Sequence, residues 1–146
     1  MTKAAGSEAH PSFTPSDYRH WIEDQVRYAD LDTLGHCNSA VYSTFFESAR
    51  VAIFTQLGYP MGAQGLALSI VRQTIEYRRE LVAGARLRIG TRVAKLGRTS
   101  ITLANAVFEG ESCAATGEVV GVVISLATRR PAELPADLRA GLEALF

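Results

Sequence analysis

Between Ser39 and Leu57 the apolar residues recur at three- and four-residue steps, the spacing of one face of an α-helix. Further apolar residues extend this surface around most of the helix circumference. The main apolar positions are Tyr42, Phe45, Phe46, Ala49 and Ile53. Asn38 is a favourable N-cap residue, and Gly58 followed by Pro60 is a favourable stop. The pattern therefore predicts one long helix that is largely buried.

Alternation of apolar and polar residues, the pattern of a β-strand, dominates most of the remaining chain. It predicts one strand before the long helix, four strands after it and a short amphipathic helix near the end. The predicted strands cover residues 20–28, 66–80, 85–96, 99–108 and 113–126, and the short helix covers 136–145. The connections at Gly97 and Gly110 are short, which favours antiparallel pairing of the strands that they join.

A helix that is apolar nearly all round is hidden by a single antiparallel sheet only if the sheet curls around it. The predicted fold class is therefore α+β, with a long central helix wrapped by a curved antiparallel sheet of about five strands. A second subunit is expected to cover the other faces and edges of so long a sheet. Residues 18–146 form this single domain in the prediction, and residues 1–17, rich in Ser, Pro and Thr, are predicted to be a disordered tail.

Charge and composition exclude several classes of partner. Fifteen basic and fifteen acidic side chains leave no net charge, so no global basic field is available to recruit nucleic acid. The longest apolar run, residues 119–126, is too short to cross a membrane and is rich in β-branched residues, which favours a buried strand. The N-terminus shows no secretory signal, and Cys37 and Cys113 do not form a cysteine framework. We therefore expect a cytoplasmic protein without nucleic-acid or membrane partners.

Chemically active side chains are concentrated in the segment Tyr28–Ser39, which leads into the predicted long helix. Asp30, Asp32, His36 and Asn38 all lie in it. A turn before a helix can place a carboxylate beside unpaired backbone N–H groups, which supplies an attacking group and an oxyanion site together. An Asp followed by Thr-Leu-Gly is also typical of a simple turn that hydrogen-bonds its own backbone. The crowding nevertheless favours a reaction centre.

The pattern Tyr-x-Asp-x-Asp-x-x-Gly-His-x-Asn, followed by Tyr42, Phe46-Glu47 and Arg50, resembles the motif of hotdog-fold acyl-CoA thioesterases of the 4-hydroxybenzoyl-CoA thioesterase type. The likeness covers about residues 21–130 and implies a hotdog fold and hydrolysis of an acyl-CoA to the free acid and coenzyme A. Coenzyme A would belong to the substrate, and neither a cofactor nor a metal is implied. The resemblance also implies a homodimer or homotetramer with its sites at the subunit interface.

By this resemblance Asp32 is the catalytic carboxylate, and the backbone N–H of Ser39 polarises the thioester carbonyl. Direct attack by Asp32 and general-base activation of a water are both left open. His36 is expected to orient that water, and Asn38 to hydrogen-bond the water or the thioester.

The resemblance also implies substrate contacts on the helix and in one turn. The helix residues are Tyr42, Phe46 and Glu47, together with residues of the next subunit. The turn Gly97-Arg98-Thr99-Ser100 resembles a turn that lies near the coenzyme A site in the family. Arg129 and Arg130 are weaker matches for positions that contact phosphate.

Three other interpretations are open at the level of sequence. Cys37 beside His36 is a candidate nucleophile, since a thiol at a helix N-terminus can have a lowered pKa. Asp30, Asp32 and His36 make a weaker candidate metal site, because no further clustered ligands support them. A non-catalytic protein that binds acyl-CoA or acyl-carrier protein, or an acyl-carrier-protein thioesterase, would use the same groove.

Overall fold

The structure is a computed structural model that describes residues 11–146, and it confirms the predicted α+β arrangement. The helices and strands in this part of the chain are β1 (His20–Gln25), α1 (Val41–Gln56), β2 (Leu66–Tyr77), β3 (Arg86–Leu96), β4 (Ser100–Glu109), β5 (Ser112–Ser125) and α2 (Ala136–Glu143). Short 3-10 turns occur at Pro15–Asp17, Tyr28–Asp30 and Ala63–Gly65.

The boundaries of the first strand and the long helix differ from the prediction. β1 ends at Gln25, because Tyr28–Asp30 turn into a 3-10 helix. The long helix begins at Val41, and Ala40 occupies its N-cap position. Asn38 instead closes a turn ahead of the helix, where its Oδ1 accepts a hydrogen bond from the Ala40 N–H at 2.9 Å. Ala40 already has helical dihedral angles, with φ −69° and ψ −24°, and a hydrogen bond to the N–H two residues along is the one that an N-cap side chain makes, so Asn38 caps the turn from which α1 starts.

The five strands form one antiparallel sheet in the order β1-β3-β4-β5-β2. Short connections join β3 to β4 and β4 to β5, as predicted. Irregularities of register occur in β2, β3 and β5, and such bulges bend a strand and increase its twist. The sheet therefore curves around α1, and β1 and β2 remain as its edges.

α1 runs antiparallel to β2. The Tyr77 hydroxyl donates to the Ser39 carbonyl oxygen at 2.8 Å, and the Gln73 side chain donates to Ser43 Oγ at 2.7 Å. Residues late in β2 thus lie beside the start of α1. Leu66 and Leu68, early in β2, line one groove together with Val51 and Phe54 of α1, so the start of β2 lies beside the C-terminal half of the helix.

The core under α1 consists of two apolar clusters. The first surrounds Phe46, which is fully buried, and includes Ile89 and Val107. The second lies under the C-terminal half of α1 and includes Ile53, Leu103, Val123, Leu138 and Leu142. α2 therefore belongs to the core, since it seals one end of the space between helix and sheet.

The predicted tail is only partly described. Residues 1–10 lie outside the described residues, and the tail stays a prediction there. Within residues 11–17, Pro15–Asp17 form a 3-10 turn and the Arg78 guanidinium lies 3.6 Å over the Phe13 ring centroid. In the described part of the chain, neither helix has the length and apolar character needed to cross a membrane.

The Phe46 ring packs directly on the backbone of β5 at Gly117. A Cβ at position 117 would lie 2.5 Å from Phe46 Cε2 and 3.0 Å from the Thr74 carbonyl oxygen. Glycine ordinarily weakens a strand, so Gly→Ala is usually harmless or stabilising there. Here we expect Gly117→Ala to lower the free energy of unfolding by about 1–3 kcal/mol, because overpacking displaces the helix. Urea unfolding of the purified variant measures this.

A double-mutant cycle checks the cause. In a Phe46→Leu background the methyl group added by Gly117→Ala has more room. The losses of unfolding free energy in the two single variants should therefore sum to more than the loss in the double variant. Strict additivity would contradict the proposed clash.

Candidate active site

The loop between β1 and α1 is built around the buried carboxylate of Asp30. Arg27 donates to it three times, through its backbone N–H at 2.9 Å, Nε at 3.2 Å and Nη2 at 3.1 Å. These hydrogen bonds hold the pKa of Asp30 below its ordinary value, although burial opposes them. The Asp30 carbonyl oxygen accepts the Asn38 N–H at 2.8 Å. Asp30 thus ties both ends of the loop together, which is a structural role.

The Asp32 carboxylate has features of both roles that its sequence context suggested, a turn former and a catalytic carboxylate. Its Oδ1 accepts hydrogen bonds from the backbone N–H groups of Leu34 at 2.8 Å and His36 at 3.2 Å. Gly35 permits this tight turn, because its φ is +79°. Within residues 11–146, no side chain or backbone group hydrogen-bonds Oδ2, and the residue is exposed. One oxygen therefore fixes the carboxylate and the other is left for chemistry.

The start of α1 offers the donor that such chemistry needs. No described residue accepts a hydrogen bond from the Ser39 N–H, whereas the Ser39 carbonyl oxygen accepts from Tyr77. Helix N-termini concentrate unpaired N–H groups and partial positive charge. The Asn38 side-chain oxygen is already bound to the Ala40 N–H. A substrate oxygen at this point could accept from the Ser39 N–H, whereas the Asn38 oxygen is itself an acceptor and has nothing to donate.

His36 is held by a residue that sequence reasoning missed. Its Nε2 lies 3.2 Å from Glu80 Oε2. Glu80 follows β2, far from the loop in sequence, and no spacing rule connects the two residues. An acidic partner of this kind orients the imidazole ring.

Cys37 is disfavoured as a nucleophile. It is buried, and burial raises the pKa of its thiol to about 11, with the charges of Asp30 and Asp32 acting in the same direction. At neutral pH the group is a thiol, and the thiolate is the nucleophilic form. Among residues 11–146, no group of three or more His, Cys, Asp or Glu side chains is arranged to hold a metal ion.

A groove of about 350 Å³ lies between the C-terminal half of α1 and the first half of β2. Glu47 and Arg50 lie along it on the helix side. Its apolar lining includes Val51, Phe54, Met61, Leu66, Leu68, Ile70, Val123 and Leu138. Arg50 is buried, and burial lowers the pKa of its guanidinium, although Glu47 at 4.0 Å opposes this.

The other two predicted helix contacts lie in the core. Tyr42 is 3% exposed, with its ring edge on Tyr77 at a centroid distance of 5.1 Å, and Phe46 is 0% exposed. Burial raises the pKa of Tyr42 to about 12, so its phenol is neutral. Glu47 lines the groove, and the substrate roles of Tyr42 and Phe46 stay predictions.

Within one chain, the Asp32 loop and the groove are separate. The contacts of Gln73 with Ser43 and of Tyr77 with Tyr42 close the space between α1 and β2 near the helix start. Glu47, at the near end of the groove, lies about 9 Å beyond Val41 along the helix. Within one chain the Asp32 loop and the groove therefore do not meet.

The predicted coenzyme A turn lies farther still from Asp32. The turn that contains Gly97, Arg98 and Thr99 follows β3, whereas the Asp32 loop contacts Ala85 and Leu81 just before β3. The two ends of β3 are about 33 Å apart. Arg98 forms an ion pair with Glu133 at 2.8 Å, and Arg139 Nη2 donates to the Gly97 carbonyl oxygen at 2.6 Å.

Comparison with known proteins decides the family. Residues 26–142 match the thioesterase-like superfamily. The chain belongs to this superfamily. It is therefore a thioester hydrolase, and the expected hotdog fold is confirmed.

Three proteins are similar to this thioesterase in sequence or structure. The crystal structure of PA5185 from Pseudomonas aeruginosa strain PAO1 superposes with a TM-score of 0.85, at 30% identity, over 90% of this chain and 94% of that chain. The uncharacterised YsmA of Bacillus subtilis is 30% identical over 124 residues, which are 79% of this chain and 84% of YsmA. The chloroplastic acyl-acyl carrier protein thioesterase ATL2 of Arabidopsis thaliana is 27% identical over 124 residues, 82% of this chain and 66% of ATL2.

The Arg27–Asp30 pair predicts a specific response to acid. Because the pKa of Asp30 is lowered by folding, its stabilisation is complete above the unfolded value of about 3.9 and is lost as the pH falls through the lower folded pKa. We expect Arg27→Gln to melt at a lower temperature than the wild type at pH 6–7. This difference in melting temperature should narrow as the pH falls below about 4, where Asp30 is protonated first in the unfolded chain and, at lower pH, in the folded protein.

Thermal melts between pH 3 and pH 7 measure this gap. The control is Arg86→Gln, which removes an exposed arginine at the start of β3. The difference between its melting temperature and that of the wild type should not narrow in the same way at low pH. A gap for Arg27→Gln that stays constant with pH would contradict the assignment.

Proposed function

We propose that this thioesterase hydrolyses acyl-CoA, with Asp32 as the catalytic carboxylate and the Ser39 N–H as the oxyanion donor. One observation carries the proposal. The Asp32 turn fixes one carboxylate oxygen and leaves the other without a partner among the described residues, and the same loop leads into a helix start whose Ser39 N–H is also unpaired among them. A thioester needs an attacking oxygen and a donor for the carbonyl oxygen, and this loop offers both.

The leaving group explains why so few residues suffice. A thiol with a pKa of about 8.5 departs as a thiolate, so no general acid is required. Asp32 either takes a proton from a water that attacks the carbonyl carbon, or attacks this carbon itself to form a mixed anhydride that water then opens. In both routes negative charge develops on the carbonyl oxygen, where the Ser39 N–H donates. Collapse of the tetrahedral species breaks the C–S bond and releases coenzyme A.

His36 acts in this proposal as a positioning residue. Its backbone N–H donates to Asp32 Oδ1 at 3.2 Å, and its ring is held by Glu80. The imidazole orients the attacking water. Asn38 shapes the approach to the helix start, because its side chain is engaged with the Ala40 N–H.

We further propose that the site is completed by a second copy of the chain. β2 is a twelve-residue edge strand, with Ile70 40% and Val71 61% exposed, and Val51 of α1 is 46% exposed beside it. Long apolar edges of this kind are normally covered. If two copies pair through β2 about a two-fold axis, their α1 helices run antiparallel. The partner's Asp32 then lies beside the C-terminal half of this α1, where the groove is.

Coenzyme A is the proposed carrier of the acyl group, whereas ATL2 is by name an acyl-acyl carrier protein thioesterase. Arg98 already pairs with Glu133. A substrate phosphate that binds Arg98 must therefore compete with that carboxylate.

The catalytic role of Asp32 is tested by Asp32→Asn. Asparagine keeps an Oδ1 that can accept the two turn hydrogen bonds, so the loop should stay folded while the carboxylate is lost. We expect kcat for acyl-CoA hydrolysis to fall by about 10²–10⁴-fold with little change in melting temperature. Thiol release from a panel of acyl-CoAs measures the rate. Glu23→Gln, an exposed carboxylate on β1, is the matched control, and an Asp32→Asn variant with the wild-type rate would overturn the assignment.

The shared site is tested by mixing two inactive variants. Asp32→Asn removes the catalytic half-site, and Ala63→Trp fills the groove from its loop wall. When the two variants are mixed in equal amounts and re-annealed, half of the dimers contain one chain of each kind. Each of these mixed dimers has one intact site. We therefore expect about a quarter of the wild-type activity to return.

A mixture of Asp32→Asn with Asp32→Ala is the control, and it should regain nothing. Failure of the first mixture to exceed this control, with chain exchange verified by mass spectrometry of tagged dimers, would show that each chain carries a complete site.

A further inference from the structure

Glu80 lies beside the loop between β1 and α1 because the main chain on both sides of it is tied down. The Cys37 N–H of the loop donates to the Leu81 carbonyl oxygen at 2.8 Å, and the Arg79 N–H donates to the Ala114 carbonyl oxygen of β5 at 3.2 Å. Leu81 is also buried in the core. The backbone at Glu80 is therefore held through both of its neighbours, although its side chain is 73% exposed.

The loop holds His36 and Asp32 in a fixed relation to each other. The Asp32 N–H donates to the His36 carbonyl oxygen at 2.8 Å, and the His36 N–H donates to Asp32 Oδ1 at 3.2 Å. A bridge between Leu31 and Cys37 closes the same turn. The imidazole and the carboxylate are therefore carried by one small, closed turn.

The contact with Glu80 determines which ring nitrogen of His36 carries the proton. His36 Nε2 lies 3.2 Å from Glu80 Oε2. An ionised carboxylate can only accept a hydrogen bond, so Nε2 is the donor. A neutral imidazole has one donor and one acceptor nitrogen, which leaves Nδ1 as the acceptor. Within residues 11–146 no group hydrogen-bonds Nδ1, and this atom is not buried, so water can reach it.

Two acceptors without partners thus belong to the same turn. Nδ1 is the ring nitrogen attached to Cγ, so it lies on the main-chain side of the His36 ring. The Asp32 carboxylate is bound to that same main chain through Oδ1, and its Oδ2 has no partner among the described residues. A water between Nδ1 and Oδ2 can donate one hydrogen to each. Its lone pairs then point away from the loop, toward a substrate.

We propose that Glu80 is a positioning residue that acts through His36 to hold the attacking water against Asp32. The water oxygen bonds to the carbonyl carbon while Asp32 Oδ2 takes one of its protons, and His36 Nδ1 keeps the other hydrogen in a hydrogen bond. The C–S bond then breaks, its electron pair leaves with the sulfur, and the proton on Asp32 passes to the thiolate. This inference rests on the proposed function and selects its water route over direct attack by Asp32.

Variants at position 80 test whether an acceptor is needed there. Glu80→Gln keeps an oxygen that can accept from Nε2, so its kcat for acyl-CoA hydrolysis should stay close to the wild-type value. Glu80→Leu removes the acceptor and should lower kcat by about 10–100-fold with little change in KM. Glu80→Lys places a donor opposite Nε2 and should lower kcat at least as much.

The matched control is Glu111→Leu, which removes another exposed carboxylate that contacts an arginine. This variant should keep the wild-type kcat. Melting temperatures confirm that each variant is folded. A Glu80→Leu variant with the wild-type kcat, or a Glu80→Gln variant as slow as Glu80→Leu, would overturn the proposal.

Nitrogen NMR of the imidazole reads the position of the proton without any substrate. Spectra are recorded at about pH 9, where imidazole is neutral, and a His36→Gln variant identifies the signals. The proton is expected on Nε2 in the wild type, on both nitrogens in a mixture of forms in Glu80→Leu, and on Nδ1 in Glu80→Lys. The same spectrum in all three proteins would mean that Glu80 does not set the tautomer.

The water route is tested by a single turnover in ¹⁸O-labelled water. Attack by the water places the label in the released acid and none in the protein. Mass spectrometry of the peptide that contains Asp32 measures this. Label in the Asp32 carboxylate would reveal direct attack and overturn the proposal.

A double-mutant cycle separates this proposal from the proposed function. If Glu80 holds the water for Asp32, Glu80→Leu should cost little further activity in an Asp32→Asn background. An equal loss in both backgrounds would overturn the role of Glu80 and leave the catalytic role of Asp32 intact. If Asp32→Asn alone has the wild-type rate, the proposed function fails, and the NMR spectra still show whether Glu80 sets the tautomer of His36.

Discussion

The packing of Phe46 against the bare backbone of Gly117 sets the distance between the central helix and the sheet. Phe46 is completely buried, and a single methyl group at position 117 would overlap its ring. A helix held this close needs a sheet that curves on both sides of it, which the bulged strands provide. The position of the helix start, and with it the Asp32 turn, follows from this contact. The depth of the groove on the other half of the helix follows from it as well.

The two aspartates of the loop show how local environment divides similar groups between structure and chemistry. Asp30 is buried, bound three times by Arg27 and linked through its carbonyl oxygen to Asn38. Asp32 is exposed and uses only one oxygen for the turn. A carboxylate whose oxygens are both engaged by a guanidinium cannot readily accept a proton. The alternation of buried and exposed positions in this short loop therefore supports the proposal that Asp32, and not Asp30, is the reactive carboxylate.

The separation of the Asp32 loop from the groove within one chain bears on how the protein assembles. Each chain places its loop at the start of α1 and its groove along the second half, with the Gln73–Ser43 contact between them. In the proposed dimer another chain brings its helix alongside in the opposite direction. The exposed edge of β2, which would otherwise invite aggregation, is in that proposal the surface that completes the site.

The sequence by itself determined the order of the elements, the long apolar helix, the antiparallel strands and the carboxylate turn before the helix. These features are local, because periodicity and turn chemistry involve residues that are close along the chain. Only the tertiary structure decided that Glu80 holds His36, that Cys37 is buried with a raised pKa, and that Phe46 lies in the core. It also revealed the groove beside the C-terminal half of α1. Each of these depends on contacts between residues distant in sequence, whose packing no local pattern specifies.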